Sequence, residues 1–166
     1  MILQGKRSVL FVCTGNICRS PAAEGVFRKL AADTGLDGYI VADSAGTTDY
    51  HTGQPPDSRM QSAARARGYD LSRLRARQVE YEDFGRFDLV VAMDREHRDA
   101  LAQLAPAAGA EKIRLMMEFA RRSDYTEVPD PYYGGPAGFE LVLDLIEDAA
   151  AGLLATLAAE LDDVRS

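Results

Sequence analysis

The 166-residue sequence is poor in cysteine: there are two, Cys13 and Cys18, both within one short stretch. With no other thiol, a disulfide scaffold is excluded, and a reducing compartment, the cytoplasm, is the expected location. Histidine is equally scarce, at two residues. A C-x4-C spacing with histidines as scattered as His51 and His97 is a poor match to known metal patterns, so neither a metal nor a cofactor is expected. Both histidines read as surface residues without a role. No apolar run reaches the ~20 residues of a membrane span, because Asp144, Glu147, Asp148 and Glu160 interrupt the most apolar region. The opening MILQGKRSVLFVC is too short and broken to read as a secretory signal. Positive charge is not in excess either: the formal net charge is −7. That argues against a nucleic-acid partner, although a local cluster of donors could still hold a small anion.

What remains is an ordinary globular composition, 46% hydrophobic and 27% charged, expected to form one domain over residues 1–166. Residues 8–12 form a continuous apolar run of the kind buried in a parallel sheet. Ser20 is a plausible N-cap, and Pro21 suits the first helical turn. Helical spacing of Ala23, Phe27, Leu30, Ala31 and Thr34 then runs to Gly35. Residues 39–42, 88–93 and 113–116 read as further strands. Helices are predicted over 57–67, with Asp57 as cap, over 94–104, and from Pro136 onward. In the last, Val142, Ile146, Ala149, Leu153 and Leu157 share one face. Alternating strands and helices imply an α/β fold, a parallel sheet covered on both faces, with ligands bound beyond the strand ends. No repeat, low-complexity segment or linker interrupts the pattern. Arg65, Arg67, Arg73, Arg75 and Arg77 read as a solvated helix face.

One loop stands where such a fold puts a site. Residues 12–21 read VCTGNICRSP: a strand ends in Cys13, Thr14 to Cys18 turn, and a helix starts near Ser20. Gly15 and Asn16 tolerate left-handed backbone, so the turn can aim successive N–H groups at an anion, aided by the helix N-terminus. Arg19 offers a planar fork for two phosphate oxygens. A cysteine at that centre would act as a thiolate nucleophile, and Ser20 could donate a hydrogen bond to it.

VCTGNICRSP resembles the signature of the low-molecular-weight protein tyrosine phosphatases. The likeness continues through residues 43–46 (DSAG), 76–78 (ARQ), 92–94 (AMD) and 130–133 (DPYY). It implies a four-stranded parallel sheet flanked by helices, with the phosphate-binding loop (Thr14, Gly15, Asn16, Ile17, Cys18 and Ser20) after the first strand. It further implies that Cys13 attacks phosphorus to form a phosphocysteine, that Arg19 holds the equatorial oxygens, and that Asp130 is the general acid. From the residues alone, Asp94 at a strand end is as good a candidate acid, and it is also a natural helix cap. The resemblance assigns Ser44 and Asn16 to loop support, and Tyr50, Tyr132 and Tyr133 to an aromatic substrate slot. Cys18 would be loop packing or, as the resemblance favours, a redox partner for Cys13. The implied partners are tyrosine-phosphorylated proteins, acted on by a monomer or weak homodimer. One departure stands out: Leu74 occupies the place of a histidine that buttresses the loop asparagine in many relatives, so the support of Asn16 is in doubt.

Other readings of the loop fare less well. Arsenate reductases need a further pair of cysteines. Arginine phosphatases carry threonine where Ile17 stands, though arginine phosphatase remains the alternative activity. A phosphate-binding regulatory module without turnover would have no need of Cys13 and Asp130 together, and phosphocarrier domains have no need of Arg19.

Overall fold

The computed structural model describes residues 6–132 and 134–165, with side chains through Leu161. Tyr133 lies outside the described residues. Four strands, β1 (Arg7–Cys13), β2 (Ile40–Gly46), β3 (Leu89–Ala92) and β4 (Ile113–Leu115), form one sheet. The order is β2-β1-β3-β4, and every pairing is parallel. The helices are α1 (Arg19–Asp33), α2 (Ser58–Ala66), α3 (Asp83–Arg86), α4 (Arg95–Leu104) and α5 (Pro136–Arg165). The chain leaves β1 towards β2 on one side and later returns to β3 on the other. The switch point, where open α/β sheets bind ligands, therefore falls at the carboxyl ends of β1 and β3.

Side-chain alternation along β1 divides the core. Val9, Phe11 and Cys13 face the cluster under α1 and α5, whereas Leu10 and Val12 face a second cluster with Leu101 of α4 and Phe84 of α3. Phe11 meets Phe27 of α1 edge to face at 5.5 Å. The expected stripe of α5, Val142 to Leu157, is fully buried. That helix approaches a one-turn 3-10 segment (Met116–Phe119) so closely that a Cβ on Gly152 would lie 1.9 Å from the Phe119 carbonyl oxygen. Only glycine fits there.

Three local expectations need correction. β2 runs on to Gly46 rather than stopping at Ala42. Ser20 is not the N-cap of α1: Cys18 holds that position without a side-chain cap, and the Ser20 hydroxyl turns towards the Cys13 sulfur instead. The arginine run is not one helix face, since α2 ends at Ala66. Arg67 bridges to Glu140, Asp144 and Glu147 of α5, and Arg77 bridges to Asp43 and the buried Asp83. Asp57 and Asp94 do cap their helices, accepting from the backbone N–H of Arg59 and His97.

Candidate active site

The loop from Thr14 to Cys18 joins β1 to α1 and is shaped by Asn16, at φ 59° the only non-glycine left-handed residue among the described residues. Asparagine tolerates this conformation, and here its amide is also saturated. One Nδ2 serves both Ser20 Oγ at 2.8 Å and Ser44 Oγ at 3.0 Å, while Oδ1 accepts the Arg77 backbone N–H at 3.0 Å. The doubt raised by Leu74 is thereby answered. Leu74 packs against the core, and a backbone N–H three residues later supplies a bond to the asparagine. The loop also lies flat on the end of β2. Thr47 and Thr48 donate their N–H groups to the carbonyls of Cys13 and Thr14, and a Cβ on Gly46 would stand 2.7 Å from the Thr14 oxygen.

Cys13 is 3% exposed, with its sulfur 3.0 Å from Ser20 Oγ. Because Asn16 donates to both serines, each hydroxyl must donate elsewhere: Ser44 to Glu24 at 2.8 Å, Ser20 to the sulfur or to the Ala45 carbonyl at 3.3 Å. Glu24 was not anticipated. It is buried, and desolvation raises its carboxyl above the ordinary range against the pull of Ser44 and Arg28. The signal was present, since Glu24 shares the helical stripe of Phe27 and Ala31.

Arg19 is the first residue of α1 and is 4% exposed. Its Nη1 donates to Asp94 Oδ2 at 2.8 Å and to the Val128 carbonyl at 3.0 Å. Its Nη2 lies 3.7 Å from Asp130 Oδ2. Burial works to raise Asp94, but the His97 backbone N–H and the hydrogen bond and charge of Arg19 hold its carboxyl below the usual value. Asp94 is thus a cap and an arginine anchor. Asp130 is 48% exposed and faces the cavity; its Oδ1 accepts the Tyr132 N–H at 3.0 Å. The Asp130 segment is tied to the sheet where the Val128 N–H donates to the Met93 carbonyl at 2.9 Å.

Cys13, Thr14, Arg19 and Asp130 line a cavity of about 260 Å³, with Ile17, Tyr50 and Tyr132 at its walls. Tyr50 is largely exposed, and Tyr132 lies under the guanidinium of Arg59 at 5.3 Å. Cys18 lines the cavity too, and burial pushes its thiol well above the ordinary range. His51 stays part-exposed, and His97 is not the surface residue expected. His51 packs over Gly15 at the cavity wall, and His97 is buried beside Thr14 and Arg19. Its signal was position: His97 lies four residues before Leu101 on the inward face of α4. Among the described residues, no group of three or more His, Cys, Asp or Glu side chains could hold a metal ion.

A parallel sheet that delivers a buried cysteine beside an arginine, at the rim of one cavity, is the frame of a cysteine-dependent hydrolase. Residues 8–163 match the family model described as low molecular weight phosphotyrosine protein phosphatase. The chain belongs to that family. It is 46% identical over 157 residues to a low molecular weight protein-tyrosine-phosphatase of Streptomyces coelicolor, covering 93% of this chain and 95% of the relative. It is 41% identical over 144 residues to the human low molecular weight phosphotyrosine protein phosphatase, covering 86% and 90%. A crystal structure of a protein tyrosine phosphatase from Entamoeba histolytica, with Hepes in its active site, superposes with a TM-score of 0.91. That pair shares 43% identity over 93% of this chain and 99% of the other.

Proposed function

We propose that this protein hydrolyses phosphotyrosine in proteins through a phosphocysteine on Cys13. The observation that carries the reading is the placement of Cys13, Arg19 and Asp130 around one cavity. Cys13 attacks as the thiolate, with the Ser20 hydroxyl donating to its sulfur. The S–P bond forms as the P–O bond to the tyrosine ring breaks, and Asp130 passes its proton to the departing phenolate oxygen. Arg19 and the backbone N–H groups of residues 14–19 hold the three equatorial oxygens, over which the transition state spreads its charge. In the second step Asp130, now a carboxylate, takes a proton from water as that water attacks phosphorus, and the Cys13 thiolate leaves. Asn16, Ser44 and Glu24 hold the loop in shape.

Ile17 offers a branched apolar wall suited to an aryl ring, and Tyr50 and Tyr132 flank the mouth. We place Tyr133 in the same slot from the sequence alone. Two free thiols suit the cytoplasm, and no helix among the described residues is long and apolar enough to cross a membrane. The net charge of −7 favours neither nucleic acid nor an anionic membrane surface, and the enzyme works as a monomer or weak homodimer.

The test is steady-state hydrolysis of a phosphotyrosine peptide beside phosphoserine and phosphoarginine substrates, with a chelator present. Phosphotyrosine should be preferred by at least about tenfold. Better turnover of phosphoarginine would reassign the activity, and phosphate binding without any turnover would reduce the protein to a sensor.

A further inference from the structure

His97, 2% exposed, sets its two ring nitrogens in unlike surroundings. Nε2 lies 2.7 Å from Thr14 Oγ1 and 3.5 Å from Arg19 Nη2. Nδ1 lies 3.1 Å from Asp94 Oδ1 but is not aligned with it as a hydrogen bond. That oxygen already accepts the backbone N–H of His97 at 3.0 Å.

Arginine can only donate and an ionised carboxylate can only accept. A proton on Nε2 could be donated to Thr14 Oγ1, but it would lie on the guanidinium side and leave the Nδ1 lone pair against the Asp94 oxygen. A proton on Nδ1 faces the carboxylate and frees Nε2 to accept the Thr14 hydroxyl. Protonation of both nitrogens is opposed by burial and by the Arg19 charge, which push the ring down to about 4. The remaining form is a neutral ring with its proton on Nδ1.

We propose that His97 is a positioning residue that acts through Thr14. Its Nε2 accepts the Thr14 hydroxyl and so turns a lone pair of Oγ1 towards Arg19 Nη2, 3.5 Å away. The same nitrogen lies 3.7 Å from Asp130. Thr14 thus competes with the acid for the guanidinium, and keeps Nη2 available to the phosphoryl group and Asp130 available to the leaving group. The inference rests on the phosphatase reading above.

The experiment compares His97→Leu, Thr14→Val and the double variant on a series of aryl phosphates. Each single change should lower kcat/KM about tenfold and steepen its dependence on leaving group, because Arg19 then draws Asp130 away. The double variant should lose no more than the worse single one, as expected of residues acting as a unit. His97→Gln, which can still accept from Thr14, should recover part of the loss. Nitrogen-15 spectra of the wild-type protein should show Nε2 as the unprotonated ring nitrogen. A proton on Nε2, losses that multiply in the double variant, or an unchanged leaving-group dependence would each overturn the proposal. If the wild-type protein turns over no phosphotyrosine, the phosphatase reading fails by itself. The ring tautomer, and the affinity of the variants for inorganic phosphate, then still decide the role of His97. An affinity unchanged within about twofold counts against it.

Discussion

Asp94 holds Arg19 from behind: its Oδ2 takes Nη1 at 2.8 Å, on the side away from the Asp130 contact made by Nη2. The guanidinium is therefore oriented before any phosphate arrives, and little entropy remains to be lost on binding. Asp94→Ala takes the close carboxylate from the buried guanidinium and leaves it the Val128 carbonyl and the longer contacts of Nη2 to Thr14 and Asp130. Stability should fall by about 2–3 kcal/mol, read as a lower Tm, and the inhibition constant of phosphate should rise about tenfold. An unchanged phosphate constant would show that Arg19 needs no anchor.

On the proposed mechanism Asp130 is the acid of the first step, so its removal matters most where the leaving group is most basic. Asp130→Ala should slow phenyl phosphate hydrolysis by about 10²–10³-fold and a dinitrophenyl ester far less. An equal loss across the series would move the acid role elsewhere. Asp94 is already committed to Arg19 and to the cap of α4.

The two thiols differ in a way that orders their oxidation. Cys13 sits under the Ser20 hydroxyl, whereas burial, followed by the charge of Asp57, keeps Cys18 a protonated thiol. Peroxide should convert Cys13 to a sulfenic acid, which Cys18 then resolves to a disulfide with loss of water. Activity should return fully with dithiothreitol. Cys18→Ser should leave turnover within about threefold but make peroxide inactivation irreversible, with a sulfinic acid on Cys13 by mass spectrometry. Full recovery of that variant would dismiss the pair.

His97 gives stability a pH dependence of predictable sign. Its folded value of about 4 lies below the ordinary 6.5, so between these the unfolded chain binds a proton that the native state does not. Stability therefore rises with pH across this window and is lost as pH falls, by no more than about 3 kcal/mol. Asp94 adds a loss of the same sign at lower pH, since its folded value is depressed below 3.8. Glu24 opposes both. Raised above 4.5, it contributes stability that is full below that value and fades as pH rises through its folded one. Urea midpoints at pH 4.5 and 6.5 should differ clearly in the wild type and much less in His97→Leu. Equal differences would mean that His97 is protonated in the native state.

Strands and helix stripes were legible because apolar runs and period 3.6 are local in sequence, although β2 outran its expected end by four residues. The loop was legible because its chemistry is compressed into residues 12–21. What escaped was tertiary. Nothing near Glu24 in the chain announces Ser44, and nothing near His97 announces Thr14, 83 residues away. Ser20 looked like a cap because serine usually is one; the neighbouring thiol and Asn16 gave its hydroxyl better partners. Leu74 suggested a weakened loop because a side chain was missing, when a backbone N–H supplied the bond.

Asn16 also gives its surroundings a direction. Its amide sends hydrogens outward on both sides, and each serine passes one on, so the hydrogen bonds run away from the loop like traffic on two one-way streets. On the proposed mechanism one of them ends on the sulfur. Exchange of a single atom, nitrogen for oxygen, as in Asn16→Asp, preserves the shape of the side chain and reverses that flow: Ser20 must then turn its hydrogen back towards residue 16. The nucleophile would keep every neighbour it has and lose the one hydrogen aimed at it.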